Sequence, residues 1–226
     1  MILAILLLVS LIWVPVLVPL WIVAILFTLY FFRDPERVPP DDDEVAVAAA
    51  DGKVVGIDNL IEPEILRRRM IRVSIFLSVF DVHVNRAPIA GRILYSEPRK
   101  GKYYDARDER SGSDNVARMW VIEGKEHTVG VRQITGAVAR RIVPWSQVDD
   151  VVVKGEKFGM IRFGSRTEIW LPEDSRVLVR VGQSVRGGVS AIAKLPTVSA
   201  VAGAVIEQDE ADAAEDVPPS LEASST

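Results

Sequence analysis

The sequence predicts a mainly β protein: a single barrel- or sandwich-like domain preceded by an N-terminal hydrophobic membrane helix or helical hairpin. Three observations carry that expectation. Residues 1–32 contain no charged side chain, short β-branched runs recur from Val45 onward, and the chain after Pro196 becomes acidic and nearly free of aromatics. With 226 residues there is room for one domain and its appendages, and hardly for two. The expected divisions are a membrane anchor (1–32), a folded domain (33–196) and a flexible acidic tail (197–226) that cannot bury enough apolar surface to fold alone.

A spanning helix needs about 20 apolar residues to cross about 30 Å of hydrocarbon, and the N-terminal run is longer than that. Pro15 and Pro19 interrupt it, and a proline inside a helix removes a hydrogen bond and favours a kink or turn. One long tilted span and a hairpin that dips into the bilayer and returns are both open. A cleaved signal peptide fits less well, because there is no charged leader and no small-residue cleavage site. Arg33 and Arg37 follow the run and place the domain on the cytoplasmic side of the cell membrane by the positive-inside rule.

The β expectation rests on runs at 45–50, 72–80, 118–122, 128–134, 137–143, 151–153, 167–171 and 176–181, separated by Gly, Asp and Pro at roughly ten-residue spacing. One short helix is expected at 58–70, interrupted by Pro63. A formal charge of −4 argues against a general nucleic-acid binder, which needs a basic footprint. The absence of cysteine excludes disulfides, thiolate metal sites and cysteine nucleophiles.

Few residues remain to carry chemistry. His83 lies in Phe80-Asp81-Val82-His83-Val84-Asn85-Arg86, and on a strand residues two apart share a face, which sets Asp81 beside His83. That is either an ordinary polar strand face or a carboxylate-oriented imidazole suited to general-base work. Ser165 follows Gly164 between two β-runs, which reads as a turn or as a nucleophile. A hydrolase is one option, although no G-x-S-x-G elbow surrounds Ser165. Lys53, after Asp51-Gly52, reads as an exposed turn lysine or as the attachment point of a lipoyl-like carrier. Arg67, Arg68, Arg69 and Arg72 read as a solvated helix face or as a contact for anionic lipid, at about 1 kcal/mol per basic residue. His127 falls in an expected hairpin turn.

Several segments occur in a telling order: Phe31-Phe32-Arg33-Asp34-Pro35-Glu36-Arg37, Ala50-Asp51-Gly52-Lys53-Val54, Asp81-Val82-His83-Val84-Asn85-Arg86, Arg162-Phe163-Gly164-Ser165-Arg166 and Val181-Gly182-Gln183-Ser184-Val185. In that order, over about residues 31–190, they resemble the short-form phosphatidylserine decarboxylase proenzymes of bacteria and archaea. The resemblance implies that the Ser165 hydroxyl attacks the Gly164 carbonyl while His83, oriented by Asp81, removes its proton. Elimination from the resulting ester and hydrolysis then leave a covalent pyruvoyl group at the head of fragment 165–226, which stays with fragment 1–164 as a heterodimer. It further implies decarboxylation of phosphatidylserine, or of its ether-linked counterpart archaetidylserine, to the corresponding ethanolamine lipid. It makes Lys53 a structural turn residue. Long-form relatives carry Leu-Gly-Ser-Thr at the cleavage point and a further functional histidine between the two motifs. His127, the only histidine in that interval, has unrelated surroundings, so that role is not carried over. Arg86, Arg162 and Arg166 are the cations nearest the motifs, and none is assigned to substrate phosphate.

Overall fold

Side-chain alternation decides what each strand buries, because successive residues point to opposite faces of a sheet. The computed structural model describes residues 1–13, 17–138, 140–162 and 165–197. Among these, two helices come first, α1 (Ile2–Trp13) and α2 (Val18–Phe31). The strands follow as β1 (Val45–Val47), β2 (Gly52–Ile61), β3 (Arg69–Leu77), β4 (Val84–Arg86) and β5 (Gly91–Arg99). A single-turn helix, α3 (Arg110–Asp114), leads to β6 (Ala117–Glu123), β7 (Thr128–Ile134), β8 (Arg141–Pro144) and β9 (Val151–Val152). The last are β10 (Lys157–Arg162), β11 (Ser165–Pro172), β12 (Arg176–Val177), β13 (Ser184–Val185) and β14 (Ala191–Lys194).

The mainly β expectation is met. Eight strands form an open sheet in the order β13-β2-β3-β11-β7-β6-β5-β9, and two three-stranded sheets, β1-β14-β12 and β4-β10-β8, accompany it. Every pairing between named strands is antiparallel. The main core draws on all three sheets, joining Val73, Ile75, Val131, Ile169 and Leu171 of the large sheet to Ala46, Ile192 and Phe158 of the small ones. Burying that β-branched set supplies the main driving force, at about 25 cal/mol per Å² of apolar surface. At Gly52 the fold leaves no choice of residue: φ is +145°, and a Cβ there would lie 2.1 Å from the Phe76 carbonyl oxygen.

Three expectations change. The helix at 58–70 does not form. Strand β2 continues to Ile61, the chain turns, and β3 begins at Arg69. The turn is organised by the buried Glu62 carboxylate, which accepts the Ile65 and Leu66 amides (2.8 and 2.7 Å) and pairs with Arg132 at 2.5 Å. The arginine cluster is therefore no helix face. Arg72 pairs with Asp58 at 2.8 Å, Arg69 lies 3.6 Å from Glu173, and Arg67 sits at φ +50°. The run at 72–80 stops at Leu77, so Asp81 lies in a turn and not on a strand.

The N-terminal apolar run is divided in two, and α1 and α2 pack on each other. At 1.5 Å per residue their 12 and 14 residues span roughly 18 and 21 Å. Among the described residues no helix is long and apolar enough to cross a membrane. The single long span expected as one alternative is thus not found. Leu20, Val23, Leu26 and Leu29 of α2 are exposed. The tail expected at 197–226 lies outside the described residues from 198 onward.

Candidate active site

Ser165 opens β11, with Leu77 of β3 as its cross-strand partner. Its side chain takes the inward-facing phase shared with Thr167, Ile169 and Leu171, and it is fully buried. Among the described residues the Ser165 Oγ has no hydrogen-bond partner. A buried hydroxyl without a partner costs about 1–3 kcal/mol, and such a group calls for an explanation. Gly164 lies outside the described residues.

His83 sits directly before β4. Its carbonyl accepts the Ile161 amide of β10 at 3.3 Å, which brings it to the end of the strand that leads to the Gly164–Ser165 bond. Its Nδ1 lies 2.9 Å from the Asp81 carbonyl oxygen. A carbonyl only accepts, so Nδ1 carries the proton and Nε2 presents its lone pair. Nε2 is buried and has no partner among the described residues. Burial pushes the imidazole pKa below its usual 6.5, against the opposing pull of the Asp81 carbonyl and carboxylate. The ring is therefore a neutral base at physiological pH.

Asp81 contributes differently from the expected carboxylate–imidazole pair. Its carboxylate accepts the Ser78 amide and hydroxyl, both at 2.8 Å, and so locks the turn 78–81. Only its main-chain carbonyl reaches the imidazole. Orientation thus passes through the backbone of a turn whose geometry the carboxylate fixes.

A buried polar chain ties the two motifs together. The Trp120 indole donates to Gln133 Oε1 (2.7 Å), Gln133 Nε2 to Asn85 Oδ1 (2.6 Å), and Asn85 Nδ2 to Thr167 Oγ1 (3.3 Å) and the Ala49 carbonyl (3.2 Å). Asn85 and Thr167 each lie two residues beyond His83 and Ser165. This link pins the two segments against each other at the inner face. The sequence reading missed it. Its signal is Gln133, a polar residue at an apolar phase of the alternation Val129, Val131, Gln133.

The other face of β11 is ionic. Arg166 pairs with Glu168, whose carboxylate also lies 3.6 Å from Arg72 and 3.9 Å from Arg132. Arg72 and Arg166 of this network border a polar cavity of about 460 Å³ that is also lined by Asp58, Ser74 and Arg107. Arg166 therefore points away from Ser165 although it is the next residue. Arg86 is a structural clamp, bonded to Asp34 (2.8 Å), the Pro35 carbonyl (3.0 Å) and the Gly155 carbonyl (3.1 Å). Arg162 ends β10 with a buried, unpartnered Nε, and its guanidinium stands 6.0 Å from the Phe32 ring. Lys53 is exposed on β2, opposite Ser184, and His127 closes the β6–β7 turn by accepting the Gly124 amide at 2.9 Å.

Comparison with known proteins gives one consistent answer. The model of the phosphatidylserine decarboxylase family matches residues 24–193. A phosphatidylserine decarboxylase proenzyme of Symbiobacterium thermophilum is 47% identical over 172 residues, covering 76% of this chain and 80% of the relative. The chain belongs to the phosphatidylserine decarboxylase family. That is a family of carboxy-lyases made as proenzymes, with a covalently bound pyruvoyl group. Membership sets aside the carrier and hydrolase readings of Lys53 and Ser165.

Proposed function

We propose that this chain is a self-processing, membrane-bound phosphatidylserine decarboxylase in which Ser165 is first nucleophile and then pyruvoyl precursor, with His83 as its base. One observation carries the reading: Ser165 Oγ and the lone-pair nitrogen of His83 are both buried and unpartnered, on segments that the Asn85–Thr167 contact holds together.

In the processing step His83 Nε2 takes the Ser165 hydroxyl proton as Oγ attacks the Gly164 carbonyl carbon. The imidazolium returns that proton to the departing backbone nitrogen of Ser165, and the peptide becomes an ester. Loss of the Ser165 α-proton then expels the Gly164 carboxylate from Cβ, and water releases ammonia to leave the α-keto group. Serine fits both tasks, because its oxygen attacks first and leaves afterwards. The pyruvoyl group supplies a ketone for the substrate amine and a sink for the electron pair left behind by carbon dioxide. His83 takes a proton from the substrate amine and returns it to the carbon that has lost the carboxyl group.

Cleavage leaves a heterodimer of 1–164 and 165–226. Support for its cohesion is topological. The smaller fragment begins with β11, which pairs with β3 on one side and β7 on the other, and its β13 and β14 pair with β2 and β1. The helix pair α1–α2 is a shallow membrane anchor, with its exposed apolar residues in one leaflet of the cell membrane and the domain on the cytoplasmic side. Arg33, two residues beyond the end of α2, supports that orientation. Ester- and ether-linked lipids share the serine headgroup, so phosphatidylserine and archaetidylserine both fit the chemistry.

The test is conversion of phosphatidylserine in vesicles to phosphatidylethanolamine by purified wild type, Ser165→Ala and His83→Ala. Turnover by wild type alone is expected. Turnover by Ser165→Ala at the wild-type rate overturns the proposal.

A further inference from the structure

The end of α2 stands in an unusual position. Phe31 is the buried residue of an otherwise largely exposed helix, and its ring centroid lies 4.3 Å from that of His83, with the planes tilted by 36°. Phe32 packs edge-on against Phe31 at 5.0 Å, and Phe27 approaches it at 6.2 Å. The helix is also latched to the turn that orients the imidazole. Tyr30 Oη donates to the Phe80 carbonyl (3.2 Å), and Arg33 donates to the same carbonyl (2.7 Å) and to that of Tyr30 (2.9 Å). The Arg33 guanidinium lies 3.8 Å from the Tyr30 ring centroid. One residue beyond Phe80, the Asp81 carbonyl accepts the Nδ1 proton of His83. The apolar hairpin and the proposed base thus share one turn and one aromatic contact.

We infer that Phe31 is a positioning residue for His83, and that docking of the α1–α2 hairpin, through Phe31 and the Tyr30–Arg33 latch, makes the imidazole competent. The inference rests on the role proposed above for His83. The Phe31 ring covers one side of the imidazole and excludes water from it. Tyr30 and Arg33 fix the turn at Phe80, from which the ring takes its orientation. Because the exposed face of α2 is apolar, the surface suited to lipid and the group suited to proton transfer form one mechanical unit.

The cover also sets the electrostatics. Burial is the main cause of the lowered pKa of His83, and the charged groups acting on it are Asp81 and Asp51, which raise it, and Arg33, which lowers it. Removing the Phe31 ring admits water and leaves those three charges in place. The pKa then rises toward 6.5. Since the neutral imidazole is the active form, the acid limb of the rate profile moves to higher pH.

The experiment follows self-cleavage of full-length proenzyme, made by cell-free synthesis, on denaturing gels across a pH series. For Phe31→Ala the acid limb shifts upward and the plateau rate falls by about 10- to 100-fold, the scale expected for a misplaced catalytic group. Phe31→Leu, which keeps an apolar cover, holds the acid limb near its wild-type position. Tyr30→Phe, which removes one latch bond, lowers the plateau without moving the limb. If Phe31→Ala fails to fold, Phe31→Val reads the same displacement to a smaller degree. A wild-type profile and rate in a folded Phe31→Ala or Phe31→Val chain, with His83→Ala blocked, overturns this inference alone. Normal cleavage in His83→Ala overturns it together with the role of His83.

Discussion

The two faces of strand β11 differ in how they treat polar groups. On the outer face Arg166 and Glu168 are buried in a network with Arg72 and Arg132, each charge set against another. On the inner face Ser165 is equally buried, and its hydroxyl has no partner. The outer face is not fully bonded either, since Arg166 Nε and Glu168 Oε2 also lack hydrogen-bond partners among the described residues, but its charges lie within ion-pair distance of one another. The contrast separates two uses of polarity within one strand: the outer face sets charge against charge, and the inner face buries a hydroxyl without a partner among the described residues. Thr167, between them in spacing and bonded to Asn85, connects the two by fixing where the inner face sits.

Breaking the inner face at its base has the largest effect. His83→Ala lowers the self-cleavage rate by about 10²- to 10⁴-fold, the usual contribution of a general base, while thermal unfolding changes little by comparison; gel densitometry of proenzyme and fragments reads the loss. Breaking the outer face does the reverse. Glu168→Ala strands buried guanidinium groups and destabilises the fold by about 3–5 kcal/mol, seen as a drop in unfolding temperature, with cleavage continuing at temperatures where the chain remains folded. The connection between the faces gives an intermediate result. Asn85→Ala leaves Gln133 Nε2 without its acceptor at a cost of about 1–3 kcal/mol, and slows cleavage as well, so it moves both readouts. Leu26→Ser, far from both faces and exposed, changes stability by less than about 0.5 kcal/mol and registers instead as weaker sedimentation with phosphatidylserine vesicles.

The pH dependence sharpens the same contrast. His83 is buried with a pKa below 6.5. Self-cleavage therefore stays at its plateau through neutral pH and falls only as the pH drops through that lowered value. Over the window from 6.5 down to the folded pKa the unfolded chain takes up a proton that the folded chain refuses, so stability declines as pH falls there. The Asp105–Arg107 pair, with its carboxyl held near about 2 by the guanidinium, does not titrate in that window.

How much of this was legible depended on whether the cause was local. The β-branched runs at 128–134 and 167–171, set between turn residues, marked the central strands, because such side chains favour the pleated backbone locally. The segment 58–70 misled because what shapes it is distant: Glu62 folds the turn while paired with Arg132, seventy positions away. Ser165 and His83 were visible only through their motif order, since each alone reads as an ordinary turn or strand residue. The mode of action of Asp81 was hidden, because strand alternation places its carboxylate beside the imidazole, whereas the turn at 78–81 sends that carboxylate to Ser78 and offers the carbonyl. Phe31 was hidden for a similar reason. In an uninterrupted apolar run, nothing marks the one residue that leaves the exposed set to pack on a histidine.

The contrast between the two faces stands or falls on whether Ser165 reacts. Intact-mass measurement of the purified protein, with N-terminal sequencing of what is found, tests this directly. The account predicts two fragments divided between residues 164 and 165, the smaller one blocked at its N-terminus, and a single uncleaved chain for Ser165→Ala. A single 25.0 kDa chain for wild type as well as for Ser165→Ala contradicts it.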